Sequence, residues 1–234
     1  MCGRYALYGP ISRHRKNKPV EDLPDWYSSV VNAINARPMR FNVAPTDVMP
    51  IVELNREGGP SIRELRWGLV PYWAKDVKIG YKAINARAET VDEKPMFREA
   101  SKRRRCLVPA SGYFEWKPEG SAKQPYFIHD ADAELLMFAG LWESWRETKE
   151  SDPLYTYTIV TGPPGLVSGD IHDRAPVILD EGAWGSWLTG EPADAADILK
   201  AAQEPRLTYY PVPKAVGSPK NDGPELVARL TEEN

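Results

Sequence analysis

The sequence predicts an α+β fold in which peripheral helices surround a curved, barrel-like and mostly antiparallel β-sheet. Three observations lead there. The chain spreads 22 prolines along 234 residues, and each removes a backbone donor and restricts φ, which favours short strands and ordered loops over long helices. Apolar residues fall more often in short or alternating, strand-like runs than at helical spacing. Strand-like and helix-like runs also follow one another irregularly, whereas a doubly wound parallel sheet needs regular alternation. In chain order, helical spacing covers Asp22–Ala36 and strand spacing covers Ser61–Val70. A helix follows at Pro95–Arg105, with Asp92 or a neighbour as its cap. Strands are expected at Cys106–Trp116, Tyr126–His129, Leu135–Trp142 and Tyr155–Thr161. Two helices, Glu181–Leu188 and Ala193–Gln203, complete the pattern, with Pro192 suited to the first turn of the second. Gly58-Gly59-Pro60, Gly120–Gln124 and Glu147–Pro153 read as surface turns.

The length suits one domain with a sizeable core. No apolar run approaches the roughly 20 residues of a membrane span, so no membrane partner is expected. The N-terminus lacks a signal-peptide pattern, which points to the cytoplasm. In that reducing compartment Cys2 and Cys106 are expected to stay unpaired, and neither their spacing nor the histidine count forms a metal site. No cofactor is expected, and the chain reads as a monomer. The net charge of −3 conceals an asymmetry: residues 63–105 carry a balance of +6 and residues 106–234 one of −11. A basic face on an acidic protein fits a polyanion held in one groove. Arg63, Arg66, Lys75, Lys78, Lys82 and Arg87 belong to that segment. Its run Lys102-Arg103-Arg104-Arg105 reads either as part of the same face or as the solvated side of a helix.

The chain begins Met1-Cys2-Gly3. Removal of Met1, which the small Cys2 side chain tolerates, would leave a free α-amine and a thiol on one residue. The thiolate is a nucleophile with an unperturbed pKa of about 8.5. The amine, at roughly 7.7–8.0, is partly neutral near pH 7. Such a 1,2-aminothiol attacks ester or amide carbonyls, or condenses with an aldehyde to a thiazolidine. Position alone does not separate this from an arbitrary second residue.

Other segments are denser in functional residue types than a core requires. Asn85 and Arg87 alternate in Ala83–Glu89, so on an extended chain they share a face. Asn85 can orient an amine or thiol and Arg87 can fork onto a phosphate, although a polar turn would use the same residues. Glu115 lies between Phe114 and Trp116. Facing a pocket, it would have a raised pKa suited to acid/base work; otherwise it forms a structural ion pair. Of the three histidines, His172 in Ile171-His172-Asp173-Arg174 is the best placed for proton transfer, with a structural role as the alternative.

Cys2, Asn85-Ala86-Arg87, Glu115-Trp116 and His172-Asp173-Arg174 occur in order with Trp67-Gly68-Leu69-Val70-Pro71, Asn42–Thr46 and Ser218–Asp222. Together these blocks resemble the SOS response-associated peptidase family over nearly the whole chain. The resemblance implies one domain over residues 1–234 with its core at about 2–225. It also implies a sensor of abasic sites in single-stranded DNA, associated with the nucleoid when bound. By similarity, the Cys2 amine attacks the open-chain sugar aldehyde and the thiol closes a thiazolidine crosslink. Glu115 is the acid/base carboxylate, Asn85 orients Cys2, and His172 assists sugar-ring opening and crosslink reversal. Arg4, Arg87 and Arg174 match phosphate-contacting positions, Trp67 and Trp116 match aromatics beside the strand, and Thr161 joins this DNA-binding set. The same apparatus is credited with autocatalytic removal of residues preceding the cysteine. Departures fall at Arg174-Ala175-Pro176, Thr161–Gly165 and Ala215-Val216-Gly217, which bear on pocket shape and DNA contacts. Two other classes remain. A glutamine amidotransferase also begins Met-Cys-Gly, but nothing after residue 3 matches one. A passive single-stranded DNA binder would account for the basic stretch and tryptophans equally well.

Overall fold

The computed structural model describes residues 2–15 and 18–230. Strand β1 (Arg4–Leu7) is followed by a short ribbon, β2 (Arg13–Arg15) with β3 (Lys18–Pro19). Helix α1 (Asp25–Asn35) buries Tyr27, Val30, Val31 and Ile34, an i, i+3, i+4, i+7 stripe. It starts later than Asp22 because Pro24 occupies the N-cap and Val20–Asp22 forms a separate 3-10 turn. Then come β4 (Arg40–Val43), β5 (Val48–Leu54), β6 (Pro60–Trp67) and β7 (Asn85–Arg87). Helix α2 (Arg98–Arg103) is shorter than Pro95–Arg105, and its N-cap is Phe97 without a side-chain cap, so Asp92 does not serve there.

Strands β8 (Arg105–Ala110), β9 (Gly112–Glu119), β10 (Ala122–Asp130), β11 (Leu136–Trp145) and β12 (Leu154–Gly162) form the middle of the chain. A one-turn helix α3 (Leu166–Gly169) and β13 (Ala175–Pro176) lead to α4 (Glu181–Thr189) and α5 (Pro192–Ala201). Asp180 caps α4 by accepting from Ala183 N–H at 3.0 Å, and Pro192 occupies the first turn of α5. Strand β14 (Leu207–Pro211) comes last.

Strands β11-β8-β5-β6-β12 form a ring that closes where β12 pairs back onto β11, with one parallel seam at β6–β12. Strands β7 and β13 attach to β12, the first parallel and the second antiparallel. A separate antiparallel sheet runs β14-β10-β9-β1-β4. The fold is therefore α+β around a small barrel, with a second sheet beside it.

The stretch Cys106–Trp116, expected as one strand, is two strands in two sheets. The chain bends at Ser111, whose N–H donates to Ala6 O at 2.8 Å while its hydroxyl donates to Tyr8 O and accepts from Tyr8 N–H. Gly112 must lack a side chain, since a Cβ there would lie 2.4 Å from the Phe127 ring. The bend hands Glu115 from the barrel to the second sheet. Alternation along β9 then decides which way each side chain faces. Tyr113 joins the large core between the sheets, whereas Phe114 joins a smaller core with Phe127, Val212, Val216 and Leu226, against which Trp116 packs. Glu115 shares its face with Tyr113.

Aromatic side chains fill the seam between barrel and sheet. Tyr5 of β1 and Tyr157 of β12 share a hydroxyl–hydroxyl bond of 2.8 Å, which satisfies two buried polar groups at once. Trp67 lies edge-on to Tyr5 at 5.3 Å and Phe138 edge-on to Tyr113 at 5.9 Å. After β6 the chain reverses at Gly68 with φ +113°, and a Cβ there would sit 2.8 Å from Gly80 O. Gly68→Ala is therefore expected to cost roughly 1–3 kcal/mol from backbone strain, before the collision is counted. The urea midpoint checks it: an unchanged value would mean this loop is not held as described.

Candidate active site

Strand β1 begins two residues after Cys2, and its antiparallel register with β9 pairs Arg4 with Phe114. Cys2 itself belongs to the large core, together with Tyr113 of β9. Cys2 is fully buried, its Sγ 3.9 Å from Arg4 O. Burial, with a smaller contribution from the Glu115 charge, pushes its thiol well above the usual range. Glu115 is only 3% exposed. Burial raises its carboxyl, and the nearby His172 ring opposes the rise. A buried thiol and carboxyl thus sit within electrostatic reach of each other, each favouring its neutral form. When Glu115 is ionised, its carboxylate can take the thiol proton and so create the nucleophile.

Asn85 enters from the barrel. Parallel pairing of β7 with β12 sets Asn85 opposite Ile159, and its Nδ2 donates to Cys2 O at 2.8 Å. Its Oδ1 is buried without a partner among the described residues, an acceptor at the cysteine's main chain. His172 follows α3. Its Nδ1 accepts from Arg174 N–H at 3.0 Å and lies 2.8 Å from Asp173 Oδ1. Cys2, Asn85, Glu115 and His172, spread over 171 positions, come together where barrel and sheet meet.

The DNA-binding set divides. Arg87 is exposed beside Thr161 in the β7–β12 register. Thr161 is buried, and its carbonyl accepts from Arg174 at 2.6 Å. Arg174 also forks onto Glu89, and this hydrogen bond is the main reason the Glu89 carboxyl is lowered. Three placements differ from expectation. Trp67 is fully buried with its indole N–H donating to Ile84 O at 2.9 Å, so it shapes the loop instead of stacking on a base. Trp116 points to the smaller core, on the opposite side of β9 from Glu115. The exposed aromatics are Tyr72, Trp73 and Tyr81, interleaved with exposed Lys75, Lys78 and Lys82.

Arg4 is the third. Its guanidinium donates to Asn42 Oδ1 at 2.8 Å, Val216 O at 2.6 Å and Gly217 O at 3.1 Å. Asn42 in turn donates to Val216, Ser218 and Asn221 carbonyls, and Asp222 accepts from Phe41 and Asn42 N–H. These contacts explain why the Asn42–Thr46 and Ser218–Asp222 blocks travel together: they clamp the end of the chain to β1 and β4. The departure at Ala215-Val216-Gly217 leaves the clamp intact because Arg4 uses carbonyls there. Arg4→Ala is expected to cost about 1–3 kcal/mol by stranding buried acceptors, without changing the salt slope of DNA binding. A phosphate contact would instead lower that slope by about 0.7 for a single strand. Titrations at several salt concentrations separate the two.

The run Lys102–Arg105 is resolved the same way. Arg105 is buried, donating to carbonyls of Ser101 and Trp187, and Arg104 pairs with buried Glu143 at 2.7 Å. Half the run is thus internal, and the basic surface lies earlier, between Arg66 and Arg87. Tyr113, Ser168, Glu89 and Glu204 also surround the site, and composition and spacing do not mark them as a group. Glu89 alone had a signal, two residues after Arg87. Among the described residues no cluster of histidine, cysteine or carboxylates could hold a metal, and no helix is long and apolar enough to cross a membrane.

A sequence profile described as SOS response associated peptidase (SRAP) matches residues 1–219. Among curated relatives, abasic site processing protein YoqW of Bacillus subtilis is 44% identical, covering 97% of this chain and 99% of its own. Abasic site processing protein HMCES of Gallus gallus is 31% identical over 98% of this chain and 78% of its own. A crystal structure of a Bacteroides thetaiotaomicron protein superposes with a TM-score of 0.77 at 25% identity, covering 98% of this chain and all of that one. On sequence and architecture alike, the chain belongs to the SOS response associated peptidase (SRAP) family.

Proposed function

We propose that this protein processes abasic sites in DNA, and that it does so by trapping the aldehyde of an abasic sugar in single-stranded DNA on Cys2. The observation that carries the reading is the Asn85–Cys2 hydrogen bond with Glu115 and His172 beside it. Met1 lies outside the described residues, and its removal is part of the proposal. The Cys2 amine adds to C1 of the ring-opened sugar. A proton from Glu115 or His172 helps expel water, leaving an imine. The thiol then adds to the imine carbon as its proton passes, through Glu115, to nitrogen. One C–N and one C–S bond form, one water is lost, and the product is a thiazolidine.

On this reading exposed Arg87 takes a backbone phosphate, as does Arg174, which must exchange its fork onto Glu89 for the phosphate while Thr161 holds it. Tyr72, Trp73 and Tyr81 offer stacking surface that tolerates any base. The basic loop supplies a salt-sensitive encounter. Removal of residues preceding Cys2 by the same thiol and carboxyl is the associated peptidase reaction. The protein acts without metal or organic cofactor, as a monomer in the cytoplasm.

The test incubates processed protein with single-stranded DNA carrying one abasic site and reads a denaturing gel. A shifted band is expected with the abasic strand and none with an undamaged strand of the same sequence. Retention on a native gel alone would instead favour a passive binder, and release of ammonia from glutamine would favour an amidotransferase.

A further inference from the structure

The four groups of the candidate site come from two separate sheets, and something must keep them in register. Cys2 and Glu115 belong to the antiparallel sheet through β1 and β9, whereas Asn85 and His172 hang from the barrel through β7 and the turn after β12. That turn is α3. The Ser168 carbonyl accepts the N–H groups of Ile171 at 3.1 Å and His172 at 3.0 Å, so α3 sets where the imidazole starts.

Helix α3 is in turn held from the other sheet. Glu204, three residues before β14, accepts from Val167 N–H at 2.8 Å and Ser168 N–H at 3.0 Å, and the Ser168 hydroxyl also donates to it. Its side chain lies so close over Gly165 that a Cβ there would be 2.5 Å from Glu204 Cβ. A second strut runs alongside, from the Tyr209 hydroxyl of β14 to Asp170 Oδ2 at 3.2 Å. Beneath them the buried Tyr113 hydroxyl lies beside Ser168 and within electrostatic reach of Cys2, Glu115 and Glu204.

We propose that Glu204 is a positioning residue for His172, bracing α3 from the second sheet so that the imidazole meets Glu115 and Cys2. The inference rests on the crosslinking function proposed above and assigns Glu204 no contact with DNA. Carboxylate bonds to two backbone N–H groups and a hydroxyl are charge-assisted and directional, which suits a brace. A displacement of about 1 Å of a reacting group can cost on the order of 10²-fold in rate.

Crosslink formation and reversal are measured separately for wild type, Glu204→Ala, Glu204→Gln, His172→Ala and the Glu204→Ala/His172→Ala pair, with a thermal melt of each. Glu204→Ala is expected to slow the His172-dependent step by about tenfold to a hundredfold. Glu204→Gln, which keeps one acceptor oxygen, should recover part of the loss. In the His172→Ala background the second change should have no further effect. If wild type crosslinks normally and Glu204→Ala matches it, or if the two losses multiply, the positioning role is wrong. Should Glu204→Ala fail to fold, Glu204→Gln combined with His172→Ala makes the same comparison. If wild type itself forms no Cys2-dependent crosslink, it is the functional reading that fails, not the brace.

Discussion

Cys2→Ala is expected to abolish the denaturation-resistant complex with abasic single-stranded DNA while leaving non-covalent affinity within about twofold. The thiazolidine needs sulfur and nitrogen on one residue, and no other residue offers both. The second cysteine, Cys106, is buried in β8, where burial holds its thiol far above the usual range. Affinity is spared because the non-covalent encounter is carried by the basic surface between Arg66 and Arg87, which the substitution leaves unchanged. The variant still carries an α-amine at residue 2, so a reversible imine can form. Borohydride should capture it, and without borohydride it should hydrolyse. Salt supplies an independent check: raising it should prevent complex formation in both proteins through counterion release, yet leave a wild-type crosslink already made. A heat-stable band of wild-type intensity from Cys2→Ala would sink the proposed chemistry.

Glu115→Gln is expected to slow crosslinking by roughly 10²–10⁴-fold, the range for loss of a general acid/base. The raised carboxyl of Glu115 places its titration above the ordinary value of 4.5. The wild-type rate should therefore change with pH above the usual carboxylate range, and the variant should lose that limb. Stability should move the other way. Because burial raises the folded-state pKa, the protonated form favours folding below the unfolded-state pKa of about 4.3, and that contribution is lost as pH rises through the folded value. Glutamine has the shape of the protonated acid and no charge to desolvate. The variant is thus expected to be more stable than wild type at pH 8 and no more stable at pH 4, by urea midpoints at each. Equal rates and unchanged pH profiles would remove Glu115 from the mechanism. A variant less stable than wild type at pH 8 would mean that its ionised carboxylate is held by the fold.

Much of the local structure was legible in the residues. The stripe of Tyr27, Val30, Val31 and Ile34 gives a helix, and Pro192 marks the start of α5. Strands β10 to β12 fall where alternating apolar residues put them. The bend at Ser111 was not legible, because alternation continues through it while the bonds to Ala6 and Tyr8 come from β1 and the residue beyond it. The tryptophans show the same limit. Trp67 and Trp116 have the composition of a stacking platform, yet one is enclosed by the inter-sheet core and the other faces away from Glu115. Exposure is a property of neighbours, and tryptophan buries readily.

The residues by themselves determined which chemistry is available: an aminothiol once Met1 is gone, an amide, a carboxyl and an imidazole, with a basic stretch ahead of the second half. They also determined the order of these blocks, which carries the family resemblance. Only the tertiary structure decided which groups meet. Asn85 reaches Cys2 across 83 positions and Arg4 reaches Val216 across 212. Spacing within a helix or strand says nothing about pairs so distant, since their meeting depends on how barrel and sheet pack. The same packing turned Arg4 and Arg105 inward and left Tyr72, Trp73 and Tyr81 outside. It set Glu204 across the seam from His172, where neither residue's sequence neighbours would place it.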